Sequence, residues 1–283
     1  KLKKVKLTLD PLNFKINAKT IDSKLTYQNK TLDLEYIKTK VSLISIIKNK
    51  FASSSLEIST KSLLLRDLVT FTRVTTNRSE LFILEKMING GYVILDVDLN
   101  FDENGNIKDD YGVRAILKDG RVNYLKKYNF EKINLILNIR NNILNFKDIK
   151  FTANKMNFIS NNFKVTKSKK DFIFEGLLEN KNTDLNYDLR KLIGLNFENV
   201  NFSSKNNFSF KINNNFKFKN LNLESEINVN KFNYKRPDII SKFFPKIDDI
   251  INFKSHKIKA KYKNNNYSIE GIGKIKFQDE FDE

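Results

Sequence analysis

Apolar and polar side chains alternate along most of this chain. Val5, Leu7 and Leu9 are separated by Lys6 and Thr8, and the same period continues through Leu12, Phe14, Ile16 and Ala18 and through Leu32, Leu34 and Tyr36. The longest clean run is Val93, Leu95, Val97, Leu99 and Phe101, with Asp96, Asp98 and Asn100 between its members. Ile133, Leu135, Leu137 and Ile139 repeat the pattern, as do Phe172 with Phe174, and Phe208 with Phe210 and Ile212. Shorter runs follow at Phe216–Phe218, Leu221–Leu223, Ile227–Val229, Phe232–Tyr234, Ile258–Tyr262 and Ile275–Phe277. Successive side chains of a strand point to opposite faces, so each run predicts a strand with one apolar and one wet face. The runs recur roughly every ten to fifteen residues, the spacing of an antiparallel meander and not of βαβ units.

Turn chemistry between the runs predicts hairpins. Asn104-Gly105, Asp119-Gly120, Asn141-Asn142, Asn213–Asn215 and Asn264–Asn266 each separate two apolar runs. Asn and Gly enter the left-handed conformation that tight turns need. Helical periodicity is confined to Ser62–Arg73, Ser79–Asn89 and Asp238–Asn252, with a short turn at Asp188–Ile193. Ser79 is the expected N-cap of the second helix, and Gly90-Gly91 its expected stop. Pro245 should kink or split the third. No stretch has the Pro, Gly and Ser content of a linker, so residues 1–283 read as one continuous β-rich segment, with a helical insertion at about 62–89 and a helix at about 238–252.

Composition narrows the chemistry. The chain has 283 residues, no Cys and one His. Disulfides, thiolate nucleophiles, Cys-bound zinc and any site needing two imidazoles are excluded. The net charge is +18, but Lys, Asn, Ile and Phe are all in excess, a skew that A+T-rich coding produces without an anionic partner. At 40% hydrophobic residues the chain is too apolar for a disordered polycation. No apolar run approaches the ~18 residues of a membrane helix. Residue 1 is Lys and no signal-like segment precedes the first run, so a fragment of a longer chain is expected.

Candidate constellations read as structural. Asp102-Glu103-Asn104-Gly105-Asn106 has the look of a calcium loop. Ile107 stands where that loop needs Gly, however, and Val113 where it needs a bidentate Glu, so a polar hairpin turn is expected. Asp96 and Asp98 share a strand face but have no cleft-forming companions, and a solvated face is expected. His256 lies among Lys254 and Lys257, which predicts a solvated turn. Lys217, Lys219, Lys231, Lys235 and Arg236 are interleaved with aromatics. Alternation puts the two kinds on opposite faces, and only 8 of the 51 basic residues are Arg, so nucleic-acid binding is not expected. No phosphate loop, dinucleotide fingerprint or nucleophile elbow is present, so neither an enzyme nor a cofactor is expected.

What remains is apolar strand face in excess of the helix available to cover it. Such a sheet can close into a barrel, form a sandwich, wrap as a solenoid, or curl into an open groove filled by a guest. A sandwich or solenoid with a dry core, structural or adhesin-like, is the plain alternative.

The segment from about Ser62 to Asn182 resembles the AsmA-like superfamily, the YhdP/TamB-type bacterial envelope proteins. The resemblance rests on Leu63-Leu64-Leu65-Arg66-Asp67-Leu68, a second helix at Leu81–Ile88, and Gly90-Gly91-Tyr92-Val93 entering the long strand. It continues through Phe101–Ile107, Leu117–Val122, Phe130–Ile133, Asn142–Ile149 and Phe174-Glu175-Gly176. It implies a long, twisted antiparallel meander curled into an open hydrophobic groove, with a few short helices. It also implies a periplasmic segment that shelters phospholipid acyl chains between the inner and outer membranes. The inner-membrane anchor expected of the family is missing from this sequence. On this reading the groove is lined by Val93, Leu95, Val97, Leu99, Phe101, Ile133, Leu135, Leu137, Ile139, Phe172, Phe174, Phe208, Phe210 and Ile212.

Overall fold

A computed structural model describes the chain except residues 1–3, 48–52, 77–79, 103, 125–127, 169–170, 186–196, 214–216, 236–241, 244–249, 264, 278–279 and 283. The protein is mainly β, its strand pairs antiparallel, with a few short helices. It divides into two compact units, 1–148 and 149–283.

The first unit holds β1 (Lys4–Asp10), β2 (Lys15–Ile21), β3 (Lys24–Tyr27), β4 (Lys30–Ser42), α1 (Leu43–Ile47), β5 (Ser53–Thr60), β6 (Leu63–Leu64), α2 (Leu65–Thr76), α3 (Glu80–Met87), β7 (Ile88–Asn100), β8 (Gly112–Tyr124) and β9 (Tyr128–Arg140). Its spatial order is β1-β2-β4-β5-β7-β8-β9. β3 prolongs β2 along β4, and β6 prolongs β5 along β7. β10 (Ile143–Ala153) carries the chain across the division. The second unit continues with β11 (Met156–Lys167), β12 (Asp171–Asp184), β13 (Phe197–Asn213), β14 (Phe218–Lys235), β15 (Ile250–Lys263), β16 (Asn266–Phe277) and β17 (Glu280–Asp282). From β11 to β17 each strand pairs with the next.

The core of the first unit is small and local. Leu32, Leu34, Leu63 and Val93 on the sheet pack against Phe71 of α2, with Leu65 and Leu68 of the same helix alongside. The Thr70, Thr72, Thr75 and Thr76 hydroxyls donate to carbonyls one turn back, which lets a threonine-rich helix keep these groups satisfied. Arg73 Nε donates to Glu85 Oε2 at 2.8 Å and ties α2 to α3.

Left-handed residues set the strand geometry. Gln28-Asn29, Asn141-Asn142 and Asn154-Lys155 each have two successive positive φ angles, the signature of two-residue type I′ hairpins. Others sit inside strands: Asp119, Asn182 and Asn199 lie at or beside shifts in register, where an extra residue bends the strand.

Several sequence expectations are corrected here. Asp119-Gly120 is no turn, because β8 runs straight through it with Asp119 at φ 51°. Gly90-Gly91 does not stop a helix. α3 ends at Met87, and the glycine pair forms an irregularity in β7, where Gly91 has φ 116° and a Cβ there would lie 2.7 Å from Gly120 Cα. The runs at Phe218, Leu221–Leu223, Ile227–Val229 and Phe232–Tyr234 are one strand, β14, whose positive-φ Asn220 breaks the period without ending the strand. The expected helix at Asp238–Asn252 is strand from Ile250 onward; residues 242 and 243 are helical and the rest of it is outside the described residues. Ser79 and the turn at Asp188–Ile193 are likewise outside them.

Candidate functional site

Strand register places the predicted residues on shared faces. In the first unit three cross-strand rows run over β7, β8 and β9: Val93–Leu117–Leu135, Leu95–Ala115–Leu137 and Val97–Val113–Ile139. The last row extends the other way through Ile58, Ile37, Thr20 and Val5, so one apolar line crosses seven strands. A parallel line runs Leu99–Leu56–Thr39–Ala18–Leu7. Ile133 pairs with Gly120 and packs over it, the glycine leaving room for the side chain.

Cover over this face is uneven. Val93 is 3% exposed beneath α2, so it belongs to the dry core and not to an open groove. Leu95, Val97, Leu99, Leu135, Leu137 and Ile139 are only half-buried. Phe101 lies past the end of β7, bridged to Ile107 in the hairpin loop. That loop is the polar turn expected from its residues: Asp102 Oδ1 accepts from the Asn104 and Asn106 amides at 2.9 and 2.8 Å. The Asn106 side chain also donates to Asp102, and these bonds hold its carboxyl below the usual range.

In the second unit the five predicted residues share one face with further aromatics. Phe174 pairs with Phe210 and Phe172 with Ile212. The Phe174 and Phe210 rings stack at 4.7 Å, and Phe218 closes on Phe210 at 4.9 Å. Phe163 on β11 meets Phe208 on β13 at 5.9 Å, two strands away, because the intervening residue on β12 is Gly176. A Cβ at Gly176 would lie 2.9 Å from Phe163 and 3.0 Å from Phe208.

A second aromatic cluster lies farther along the same strands and is absent from the sequence-based list. Phe232 and Phe253 stack at 4.4 Å, and Phe197 meets Phe232 and Tyr234 at 4.9 and 5.7 Å. The His256 ring sits edge-on to Phe232 and Phe253, lies over Gly273, and has a buried Nδ1 without a hydrogen-bond partner among the described residues. The expected solvated turn at His256 is therefore wrong: it is mid-strand, opposite Val229. Positive φ at the adjacent Ser255 breaks the alternation, which the lysine flanks conceal in the sequence. The signal for this cluster was present as Phe232-x-Tyr234 and Phe253.

Between the aromatic clusters runs a polar band. Asn180 is 2% exposed and Ser225 is buried; Ser204 donates to Asn180, and Asn206 donates to Leu178 O and Ser204. These groups largely satisfy one another. The opposite face is a charge ladder: Glu179, Lys205, Glu226, Lys259 and Glu270 stand side by side on five strands. In the adjoining register Lys261 reaches Glu224 at 3.5 Å. A cavity of about 590 Å³ opens on this polar face, lined among others by Lys164, Glu175, Asn207, Ser209, Glu224 and Lys261. Of the predicted groove residues it touches only Phe208.

Among the described residues the apolar face of the second unit has no second layer. Among the described residues of 149–283, strands make their substantial contacts with hydrogen-bonded neighbours, and the buried apolar side chains are Ile149, Met156, Val165, Val200 and Val229. Asp96 accepts from Ser59 at 2.6 Å, and Asp98 stands opposite Glu57, whose carboxylate pairs with Lys38 at 2.9 Å. No group of three metal-ligating side chains gathers among the described residues. Comparison with protein-family profiles, curated proteins and solved structures finds no match for this chain.

Proposed function

We propose that this chain is a non-enzymatic lipid-binding segment that shelters phospholipid acyl chains against its apolar sheet face. The observation that carries the reading is the single-layered sheet of the second unit, whose rows of Phe, Leu and Ile have nothing packed across them among the described residues. Apolar strand faces require cover, and an acyl chain supplies it at about 0.8 kcal/mol per buried CH₂. The half-buried rows through Leu95–Leu137 and Val97–Ile139 offer the same chemistry in the first unit. The wet face, with its lysines matched to glutamates, suits an aqueous compartment. The proposed setting is that implied by the AsmA-like resemblance: a periplasmic segment passing phospholipid between membranes, anchored to the inner membrane by its parent chain.

The test is mass spectrometry of organic extracts from the purified chain. Stoichiometric phospholipid is expected, falling severalfold in Leu95→Asp or Leu137→Asp while the far-UV circular dichroism stays β-type. Lipid-free protein, or lipid unaffected by either charge, would sink the proposal. It would favour a structural sheet whose face is covered by protein.

A further inference from the structure

We propose that α3 is a membrane-docking element, whose outward side enters the interfacial layer of a phospholipid bilayer. A helix on a protein surface ordinarily turns its apolar residues inward and its charges outward. α3 does the reverse. Phe82, Ile83 and Leu84 are 50%, 64% and 40% exposed, and among the described residues nothing covers them further. Glu85 is turned inward, its side chain 13% exposed, and Arg73 of α2 holds it there at 2.8 Å. The carboxylate is thus already neutralised against the protein, while the solvent side of the helix is hydrocarbon.

The arrangement singles out the occupant. Successive residues of a helix lie about 100° apart, so three in a row sweep about 200° of the circumference. A protein groove takes a single stripe, read at i, i+3, i+4 and i+7, and would leave part of such an arc in water. A helix sunk into the boundary between headgroups and acyl chains is covered over the whole of it. The neighbouring charges fit the same surface. Lys86 Nζ lies 5.4 Å, and Arg73 Cζ 5.9 Å, from the centroid of the Phe82 ring. A cation on a flexible stem beside an inserted ring reaches back to the lipid phosphates. Of the described charged side chains of α2 and α3, Arg66, Arg73 and Lys86 outnumber Asp67 and Glu85, which favours an anionic membrane. Docking through α3 does not depend on acyl chains lying against the sheet, and the two can be read separately.

The chain contains no Trp, so one introduced indole reports on its own site. Mixed phosphatidylethanolamine–phosphatidylglycerol vesicles should co-sediment the 283-residue chain. Ile83→Trp should shift its emission to the blue on these vesicles, and lipids brominated near the ester end of their chains should quench it. Ile272→Trp, at a side chain 66% exposed on β16, should show neither effect. Ile83→Ser should weaken vesicle binding about tenfold, and Ile272→Ser should leave it unchanged. Both positions are exposed, and an unaltered melting temperature for Ile83→Ser guards against reading a folding defect as lost docking. Lipid extracted from purified Ile83→Ser should match that from the unaltered chain. Extracts free of lipid, with vesicle binding still lost in Ile83→Ser, would sink the reading of the sheet face and leave docking standing. A chain that stays in the supernatant would overturn the proposal. So would equal blue shifts at the two positions, or full vesicle binding by Ile83→Ser. A dimer that Ile83→Ser disrupts, in a chain that ignores vesicles, would overturn it too and give the surface to a second copy.

Discussion

At the scale of single residues, the glycines of the second unit show how aromatic packing is organised across one sheet. Gly176 lets Phe163 and Phe208 meet over an intervening strand. Gly271, directly opposite Ile258 on β15, has its nearest neighbours, Ile258 Cγ1 and Lys257 O, at an ordinary 3.6 Å from where a Cβ would stand. The two positions should therefore respond oppositely to the same substitution. Gly176→Ala should cost about 1–3 kcal/mol, as overpacking does, and should disperse the ring-current shifts of Phe163 and Phe208. Gly271→Ala should be neutral or gain up to about 1 kcal/mol, because glycine is entropically costly in a strand. Chemical denaturation of the two variants measures the contrast. Equal effects would mean that the rings do not rest on Gly176.

At the scale of elements, the sequence was legible where one period held and illegible where it broke. Val93–Leu99 and Ile133–Ile139 were placed on one face by alternation alone, and register through β8 joins them. The breaks come from left-handed residues inside strands. Asp119-Gly120 carries the chemistry of a turn but lies in a continuous β8, since the same φ preference serves a hairpin and a bulge. Ser255 hides a half-buried histidine by the same device. The strand β14 read as four strands, because Asn220 and its polar neighbours look like turns until the pairing with β13 and β15 is known. The helical insertion was legible as α2 and α3, but not the link between them. Arg73 and Glu85 are twelve residues apart, and their bond depends on the angle at which the helices meet. Arg73 donates to Glu85 and, with its charge, holds that carboxyl below its ordinary range. A group with a depressed folded pKa adds stability above its unfolded value, about 4.3 for Glu, and loses it as pH falls through the folded value. Glu85→Gln should therefore cost about 1 kcal/mol near pH 7, or about 2–4 °C in melting temperature, and progressively less as the pH falls below about 4.3. A penalty independent of pH would mean that the carboxylate's charge is not what joins the helices.

At the scale of the whole molecule, the balance between the two sheet faces matters more than any single site. The wet faces carry cross-strand charge pairing: Lys38 reaches Glu57 at 2.9 Å in the first unit, and the ladder from Glu179 to Glu270 alternates in sign across the second. The formal charge of +18 is the excess left after every carboxylate is matched, and the Lys, Asn, Ile and Phe skew that A+T-rich coding produces weakens it as an argument for an anionic partner. Among the described residues the apolar faces are the less covered ones, with half-buried Phe, Leu and Ile in rows and a helix packed over Val93 and its neighbours. If acyl chains provide the missing cover, they bind the folded sheet and not the unfolded chain, and must raise its stability by mass action. At about a hundredfold excess over Kd that gain is about 2.7 kcal/mol, which corresponds to roughly 5–10 °C. Protein stripped of lipid by a hydrophobic resin should melt lower by about this amount. Adding back phosphatidylglycerol or phosphatidylethanolamine below the solubilising limit of the carrier detergent should reverse the loss, and carrier alone should not. Leu137→Asp should abolish the reversal, because a carboxylate in the middle row cannot be buried against a hydrocarbon chain. A melting temperature indifferent to both stripping and lipid would mean that the apolar rows are covered by protein. In that case the sheet is a structural element, and its open face is where another polypeptide layer docks.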